Sequence, residues 1–590
     1  MINKCIIITA LLLFNYLIYP IRIESQIPSW PPGGNSPASF AGAENLPGKR
    51  FLPSTKRWNL VWADQIVPNW VTQGQVEFAA RNYIGTQKIF ANQAEQFRNF
   101  NPNFLVIIYH LAAGLNPAKN SDCPDPKNHG GEDFIGVVAP EGYVAEYPTH
   151  FIPWLENNSI PLNSQKFESM FQHYDTIRYE NRVWHSDPYW LMNINNSDWQ
   201  QYICDITLEW MKGNSNEGCF FDVAVETNCS LYNPKKGNPE PGNFEWWESP
   251  HYPAGYSNTV KTRQDFAQWM NAGFSTYFKK IYKAFHSGAQ DYLVIPNVDQ
   301  MVTTVYDPVW LDGSNGEQAV DGAMIESFGG YTGFDMWQTL ERSFRHLTSR
   351  GKILIAQFYN ASDYERLRRT GMYMLIKNEN SYINILSGGG VEWYPEYEID
   401  LGSQTQLPDM FDELRVAGNG WRSLWKRDYE KGMVLCNTSD DVINYSLDGE
   451  GWQKIVTTGG GPVSDEGIPE SQKTEYKETG RSIDIEPGNC VVLARKFPEV
   501  VEPEVSPQRQ IGSIRQLSGD EYGITILFEG FTEISCFDLY GRIIGNIHSW
   551  YNRAGEMIKF STGTFASGVY FCLIKAGNKK EAMQFIVTRQ

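Results

Sequence analysis

The chain has 590 residues, 68 acidic against 50 basic, for a net charge of −18 with histidines neutral. Such a charge excludes nucleic-acid binding or docking on an anionic membrane through a basic surface. With 42% hydrophobic and 20% charged residues the composition is globular and spans several domains, and 14% aromatics, including 19 tryptophans, supply rings that fill cores or stack on sugar faces.

Residues 1–25 have the layout of a signal peptide. Lys4 gives a positive start and residues 5–19 a short apolar run. That run is too short, and too soon followed by polar sequence, to be a membrane anchor, and no later stretch reads as a transmembrane helix. The expectation is an exported protein. One of the nine cysteines, Cys5, lies in this segment. No C-x-x-C pair is present, so a zinc knuckle is not expected. Cys123 and Cys229, in two loops, are the candidate disulfide. Cys436, Cys490, Cys536 and Cys572 lie in apolar runs and read as buried thiols.

Residues 26–56 are rich in Pro, Gly and Ser and read as an irregular leader. Residues 58–64 (W-N-L-V-W-A-D) form the first clear strand and end in an acid. A weak second strand at 83–86 is followed by a polar helix to about residue 99. Residues 104–110 (F-L-V-I-I-Y-H) are a strong third strand. The insertion at 115–192 is too long for an idle loop. Asn196 or Ser197 then caps a helix to about Met211.

Residues 218–226 read G-C-F-F-D-V-A-V-E, a fourth strand with the look of one buried on both faces. Asp222 is set inside it, and a period of two puts Asp222, Ala224 and Glu226 on one side. The loop at 227–261 carries Phe244, Trp246, Trp247, Tyr252 and Tyr256. An amphipathic helix follows at 265–285. Further strands are expected at 292–299, 322–328, 352–358 and 381–386, with helices at 336–348 and 363–377. This alternation predicts a (β/α)8 TIM barrel over residues 26–415.

From about residue 420 the pattern changes to short β runs at 425–429, 433–437, 442–447, 482–485 and 490–495, separated by Gly- and Asn-bearing turns. They predict an antiparallel β-sandwich over 416–497. Residues 498–510 are a Pro- and Glu-rich linker that should be extended. Residues 511–590 are a last β-sandwich domain.

Reacting groups of such barrels sit at the C-terminal strand ends. Those ends offer Asp64, Tyr109, His110, Asp222, Glu226, Asn297, Asp299, Glu326, Gln357 and Asn384. Two carboxylates flanking one bond is the arrangement that cleaves glycosides. Strands four and six are near neighbours, so Asp222 and Glu326 are the candidate pair. Asp222 suits the nucleophile; Glu326, flanked by Met324, Ile325 and Phe328, suits a proton donor of raised pKa. Glu226 is the rival acid. The structural alternatives are an Asp222 held by backbone donors or an Arg, and a Glu326 paired with an Arg. Asp64, Tyr109, His110, Trp246, Trp247, Asn297, Asp299, Gln357 and Trp393 are the substrate-binding candidates. The nine histidines are scattered without an H-x-x-x-H cluster, and no P-loop or G-x-S-x-G elbow occurs, so neither a metal nor another cofactor is expected.

F-F-D-V-A-V-E, G-A-M-I-E-S-F, and W-Y-P-E-Y-E-I-D-L-G after strand eight together resemble a glycoside-hydrolase-like barrel family of bacterial surface proteins. The resemblance spans about residues 58–401 and extends to W-K-R-D-Y-E-K-G-M-V-L-C-N in the sandwich. It implies a carbohydrate-active protein with a polysaccharide or oligosaccharide substrate. Acids on strands four and six are also placed as in α-galactosidase-like and dextranase-like retaining barrels, a likeness of geometry alone. I-S-C-F-D-L-Y-G at 534–541 with Arg542, A-S-G-V-Y-F at 566–571 and Q-F-I-V at 584–587 resemble the sorting domain of the type IX secretion system. That resemblance implies the secretion machinery as partner and a secreted or surface location on a Gram-negative bacterium. Two functions follow: an exported glycoside hydrolase, or a surface carbohydrate-binding protein whose barrel has lost turnover.

Overall fold

The computed structural model describes residues 59–89, 91–115, 138–139, 142–143, 146–162, 164–171, 184–185, 189–212, 216–224, 231–232, 263–287, 291–299, 301, 307–313, 317–359, 361–387, 390–495, 512–518, 521–526, 530–538, 543–552, 556–563, 565, 568–576 and 579–587. The expected signal peptide and linker, Cys123 and Cys229 lie outside them. The chain divides into two compact units, Met1–Phe497 and Pro498–Gln590.

The first unit is built on eight parallel strands: β1 Leu60–Ala63, β2 Tyr83–Gln87, β3 Leu105–Leu111, β4 Gly218–Asp222, β5 Leu293–Pro296, β6 Gly322–Ile325, β7 Ile353–Tyr359 and β8 Ser381–Leu386. Each pairs with its sequence neighbours except β5 with β6, and β1 pairs with β8. Between β5 and β6 the ring is closed by the parallel bridge Asn297 to Met324, where the Val298 N–H donates to the Met324 carbonyl at 3.0 Å. This is the expected TIM barrel.

The period of two sorts its side chains. Trp62, Leu105, Ile107, Tyr109, Phe220, Ile295, Met324, Ile355 and Tyr382 fill the interior. Val61, Val106, Ile108, Phe221, Val294, Ile325, Leu354 and Ile383 face the surrounding helices. Glycine opens β4 and β6 because a Cβ at Gly218 or Gly322 would strike the backbone of Leu293 or Ile353 on the adjoining strand.

The helix Gln73–Asn82 after β1 was not legible in its polar sequence. Val76, Ala79 and Ala80 bury its inner face, and Thr72 and Gln75 form a reciprocal capping box, a cap of about 1 kcal/mol. Asn196 caps the helix Ser197–Lys212 by accepting from the Asp198 and Trp199 N–H groups at 2.9 and 3.0 Å. Helices Arg263–Phe285, Gly333–His346 and Asp363–Ile376 complete the expected alternation.

In the insertion after β3, Gly114–Leu115, Trp184–His185 and Trp190–Leu191 join Leu231–Tyr232, from the segment after β4, in one four-stranded sheet. Phe151, Phe167, Phe171, Trp190, Trp199 and Tyr202 pack edge to face or tilted beside it. Much of the aromatic excess here is therefore core.

The sandwich begins at Arg415. Six antiparallel strands run Arg415–Asn419, Arg422–Tyr429, Gly432–Asn437, Cys490–Arg495, Trp452–Gly459 and Gln472–Glu478 across one sheet, and Ile443–Ser446 pairs with Ser482–Ile485. Cys436 and Cys490 stand directly opposite in register and form a disulfide. That corrects the reading of these two as thiols, since cross-strand register, invisible in sequence, brings them together. Cys536 and Cys572 are buried thiols, as expected. Buried Arg427 and Tyr429 of the sandwich donate to carbonyls at Lys377 and Met374, joining it to the barrel.

The second unit has a three-stranded sheet (Gly512–Ser518, Glu521–Ile526, Met557–Ser561) and a four-stranded one (Ile543–Asn552, Gly530–Asp538, Gly568–Ala576, Lys579–Val587). Tyr522, Ile524, Ile534, Cys536, Cys572 and Phe585 form its core. Of the turns expected at residues 540–541 and 567–568, only Gly568 is among the described residues, where it opens a strand.

Candidate active site

The C-terminal ends of β1 to β8 bring polar side chains to one place. Asp222, the last residue of β4, points inward with Phe220. Its Oδ2 accepts from the Tyr109 hydroxyl at 2.9 Å, and its Oδ1 accepts from the Val223 N–H and from Asn297 Nδ2, each at 2.9 Å. The same Asn297 Nδ2 donates to Glu326 Oε2 at 2.5 Å. One amide nitrogen with two hydrogens thus serves both carboxylates. The facing oxygens are therefore no farther apart than the sum of those two bonds, which makes the two carboxylates a close pair. The amide is held in this orientation because the Asp299 N–H donates to Asn297 Oδ1 at 3.0 Å.

Glu326 directly follows β6. Its other oxygen accepts from the Tyr359 hydroxyl, which accepts from Gln357 Nε2. The Asn384 amide lies 2.8 Å from Gln357 Oε1, so β6, β7 and β8 share one polar chain. Burial, then the charge of Asp222, push the Glu326 carboxyl up to about 7; Lys88, Tyr359 and Asn297 oppose the rise.

Asp64 Oδ1 accepts from Gln87 Nε2 at 2.6 Å and pairs with Lys88 Nζ at 2.9 Å. Lys88 also lies over the rings of Tyr109 and Phe220, at 5.5 and 5.2 Å from their centroids. Burial works against its charge, yet Asp64, Asp222 and Glu326 together hold its pKa above the ordinary lysine value. Lys88 therefore offsets the charge of three acids.

Backbone strain gathers here. Lys88, Val223, Asp299 and Ser327, each just beyond a strand end, have φ of 63°, 57°, 51° and 54°. A β-branched Val in this region is an outlier, and such outliers concentrate at working sites.

The structure thus brings together Asp64, Tyr109, Asp222, Asn297, Glu326 and Gln357, with Asp299 contributing its backbone. Other candidates lie elsewhere. His110 follows inward-facing Tyr109 and so points outward. Its Nε2 lies 2.9 Å from Glu146 Oε1, its Nδ1 2.6 Å from the Leu111 carbonyl, and it is fully buried. Trp393 packs edge-on against Phe78, Tyr83 and Tyr397 and donates to Glu398 at 2.8 Å. Ala224 leaves the face of Asp222, because the turn at Val223 sends it to the outer core, where its N–H meets the Asn297 carbonyl at 3.1 Å. Glu226, Trp246 and Trp247 lie outside the described residues.

Sequence reasoning missed Gln87, Lys88 and Tyr359. All three sit one or two residues past the expected ends of β2 and β7, and extending those strands would have found them. Among the described residues no group of His, Cys, Asp and Glu could hold a metal ion, and no helix is long and apolar enough to cross a membrane.

No curated protein matches the sequence. Among solved structures the chain is similar to the α-galactosidase AgaA of Geobacillus stearothermophilus, at 8% identity over 75% of this chain and 56% of that one, with a TM-score of 0.36. It is similar to a cycloisomaltooligosaccharide glucanotransferase of Paenibacillus sp., at 9% identity over 74% and 55%, TM-score 0.29. A third is an α-amylase of Malbranchea cinnamomea, at 8% identity over 74% and 96%, TM-score 0.31. The chain spans little more than half the length of the first two. The expected likeness to a glycoside-hydrolase-like family is borne out: residues 141–433, which carry β4 to β8 and both Asp222 and Glu326, match the model of hypothetical glycosyl hydrolase family 15.

Proposed function

We propose that the barrel hydrolyses glycosidic bonds with retention, with Asp222 as nucleophile and Glu326 as acid and base. The observation that carries this reading is the single Asn297 amide nitrogen donating to both carboxylates. A close pair favours retention, since inversion needs room for a water between the base carboxylate and the sugar. Three donors hold Asp222 in place; Glu326, pushed up to about 7 by burial and then by Asp222, is suited to giving a proton near neutrality. Lys88 lies where it can offset the negative charge of the cluster, and partly exposed Asp64 would meet sugar hydroxyls.

The test is reducing-sugar release on a polysaccharide panel, followed by proton NMR of the first product anomer. Initial formation of the anomer opposite to the substrate's would refute retention.

Lys88→Met is expected to move the alkaline limb of kcat/KM upward. Lys88 lowers the Glu326 pKa, so its removal lets the acid stay protonated to higher pH. A limb that stays in place or moves down would contradict the charge balance proposed here.

Export through the type IX machinery is part of the same proposal, supported by the motifs at 534–541, 566–571 and 584–587. Removing 511–590 should leave a folded first unit, because the barrel and sandwich form a compact unit of their own. In a native host the truncated protein should remain cell-associated; its normal appearance outside the cell would sink the sorting assignment.

A further inference from the structure

Near the loop that carries Glu326 are three exposed rings that the catalytic reading does not use. Tyr331, Phe334 and Tyr364 are 38%, 45% and 57% exposed. Large apolar side chains left this open beside a polar cleft need a reason. Tyr331 lies between β6 and its helix, Phe334 is in the first turn of that helix, and Tyr364 stands at the start of the helix after β7, so all three belong to the C-terminal face of the barrel.

The segments that carry the rings are anchored. Phe334 lies 5.5 Å from Trp337 and 5.9 Å from Trp421 of the sandwich, the latter edge to face at 82°. The Arg422 guanidinium covers Trp421 at 4.2 Å and pairs with Asp440 at 2.9 Å. Arg368, 3% exposed, donates to the carbonyls of Gly329, Tyr331 and Gly488 at 2.6, 3.2 and 3.3 Å, and pairs with Glu365 at 2.8 Å. It stands one helical turn from Tyr364. A buried guanidinium thus ties the β6 loop, the next helix and a sandwich turn together, which keeps the rings in place before any ligand arrives.

Tyr331 follows Glu326 by five residues, a span of at most about 18 Å even if extended. The turn closed by the Gly330 N–H on the Ser327 carbonyl, at 3.1 Å, shortens it. The rings are therefore within reach of an oligosaccharide whose bond lies at Glu326. They are flanked by exposed Asp335, Arg422 and Asp440, hydrogen-bonding groups that suit hydroxyl-bearing pyranose faces better than a dry protein interface.

We propose that Tyr331, Phe334 and Tyr364 form a platform for the leaving-group side of a polymeric glycan. This rests on the hydrolase reading: the side is fixed because the rings lie near the loop of the residue that protonates the leaving group. The substrate is then a chain that extends several sugars past the cleaved bond.

The test uses the full chain on dextran, pullulan, laminarin and galactomannan, and on p-nitrophenyl glycosides of the same sugars. On the polysaccharide cleaved by the wild type, Phe334→Ala/Tyr364→Ala should lose about tenfold in kcat/KM. Its rate on the aryl glycoside, too short to reach the rings, should be unchanged. Phe334→Tyr/Tyr364→Phe keeps both rings and should match the wild type on the polymer. Equal rates for the alanine variant and the wild type on the polymer, or equal losses on both substrates, overturn the platform while leaving the hydrolase reading intact. No cleavage of any substrate by the wild type overturns the hydrolase reading, and the platform with it. A shift from dimer to monomer in sedimentation of the alanine variant would assign the rings to a second copy of the chain instead.

Discussion

Asp222→Asn is expected to bring turnover to background, a loss above about 10⁴-fold, the scale seen when a residue that forms the covalent bond is removed. The fold should survive. The side-chain oxygen that accepts from Val223 and Asn297 is kept. The new amide faces only the Tyr109 hydroxyl, which can rotate to accept. The substitution therefore removes the charge and the nucleophile and little else. Thermal unfolding should give a Tm close to the wild type, and the variant should still bind oligosaccharide. Wild-type turnover in this variant would remove Asp222 from the chemistry.

Glu326→Gln should cost on the order of 10²–10⁴ in rate on natural substrates, the usual size of general acid–base help. The loss should shrink on an aryl glycoside whose leaving group needs no proton. The sign of the pH dependence follows from the raised pKa. Glu326 must be protonated to act as acid, so wild-type kcat/KM should fall as pH rises through about 7. Glu326→Gln cannot lose that proton, and its profile should lack the alkaline limb. An active Glu326→Gln beside a dead Glu226→Gln would transfer the acid to Glu226. If neither Asp222→Asn nor Glu326→Gln harmed a demonstrated activity, the two-carboxylate mechanism would be wrong.

The amino-acid sequence by itself determined the alternation of strands and helices, because burial on two faces demands apolar β-branched runs and one-sided burial demands a 3.6-residue period. It also singled out Asp222, Asn297 and Glu326, since acids and amides at the ends of such runs are costly to bury without a partner. What it could not carry was register. Cys436 meets Cys490 only through antiparallel pairing across 54 residues. The strand Gln472–Glu478 is polar along its length, so no alternation announced it; its pairing with Trp452–Gly459 defines it. His110 looked like a mouth residue, and the one-residue step from Tyr109 turned it outward to Glu146.

The tertiary structure also decided the site itself. Lys88 and Tyr359 lie past the apolar part of their strands, where periodicity gives no signal. The backbone turn at Val223 ended the face that would have aligned Ala224 with Asp222. Above all, the convergence of Asp222 and Glu326 depends on closing the ring between β5 and β6, and that closure sets Asn297 between them. Local sequence encodes which residues end each strand; only the closed barrel sets which of those ends share one hydrogen-bond donor.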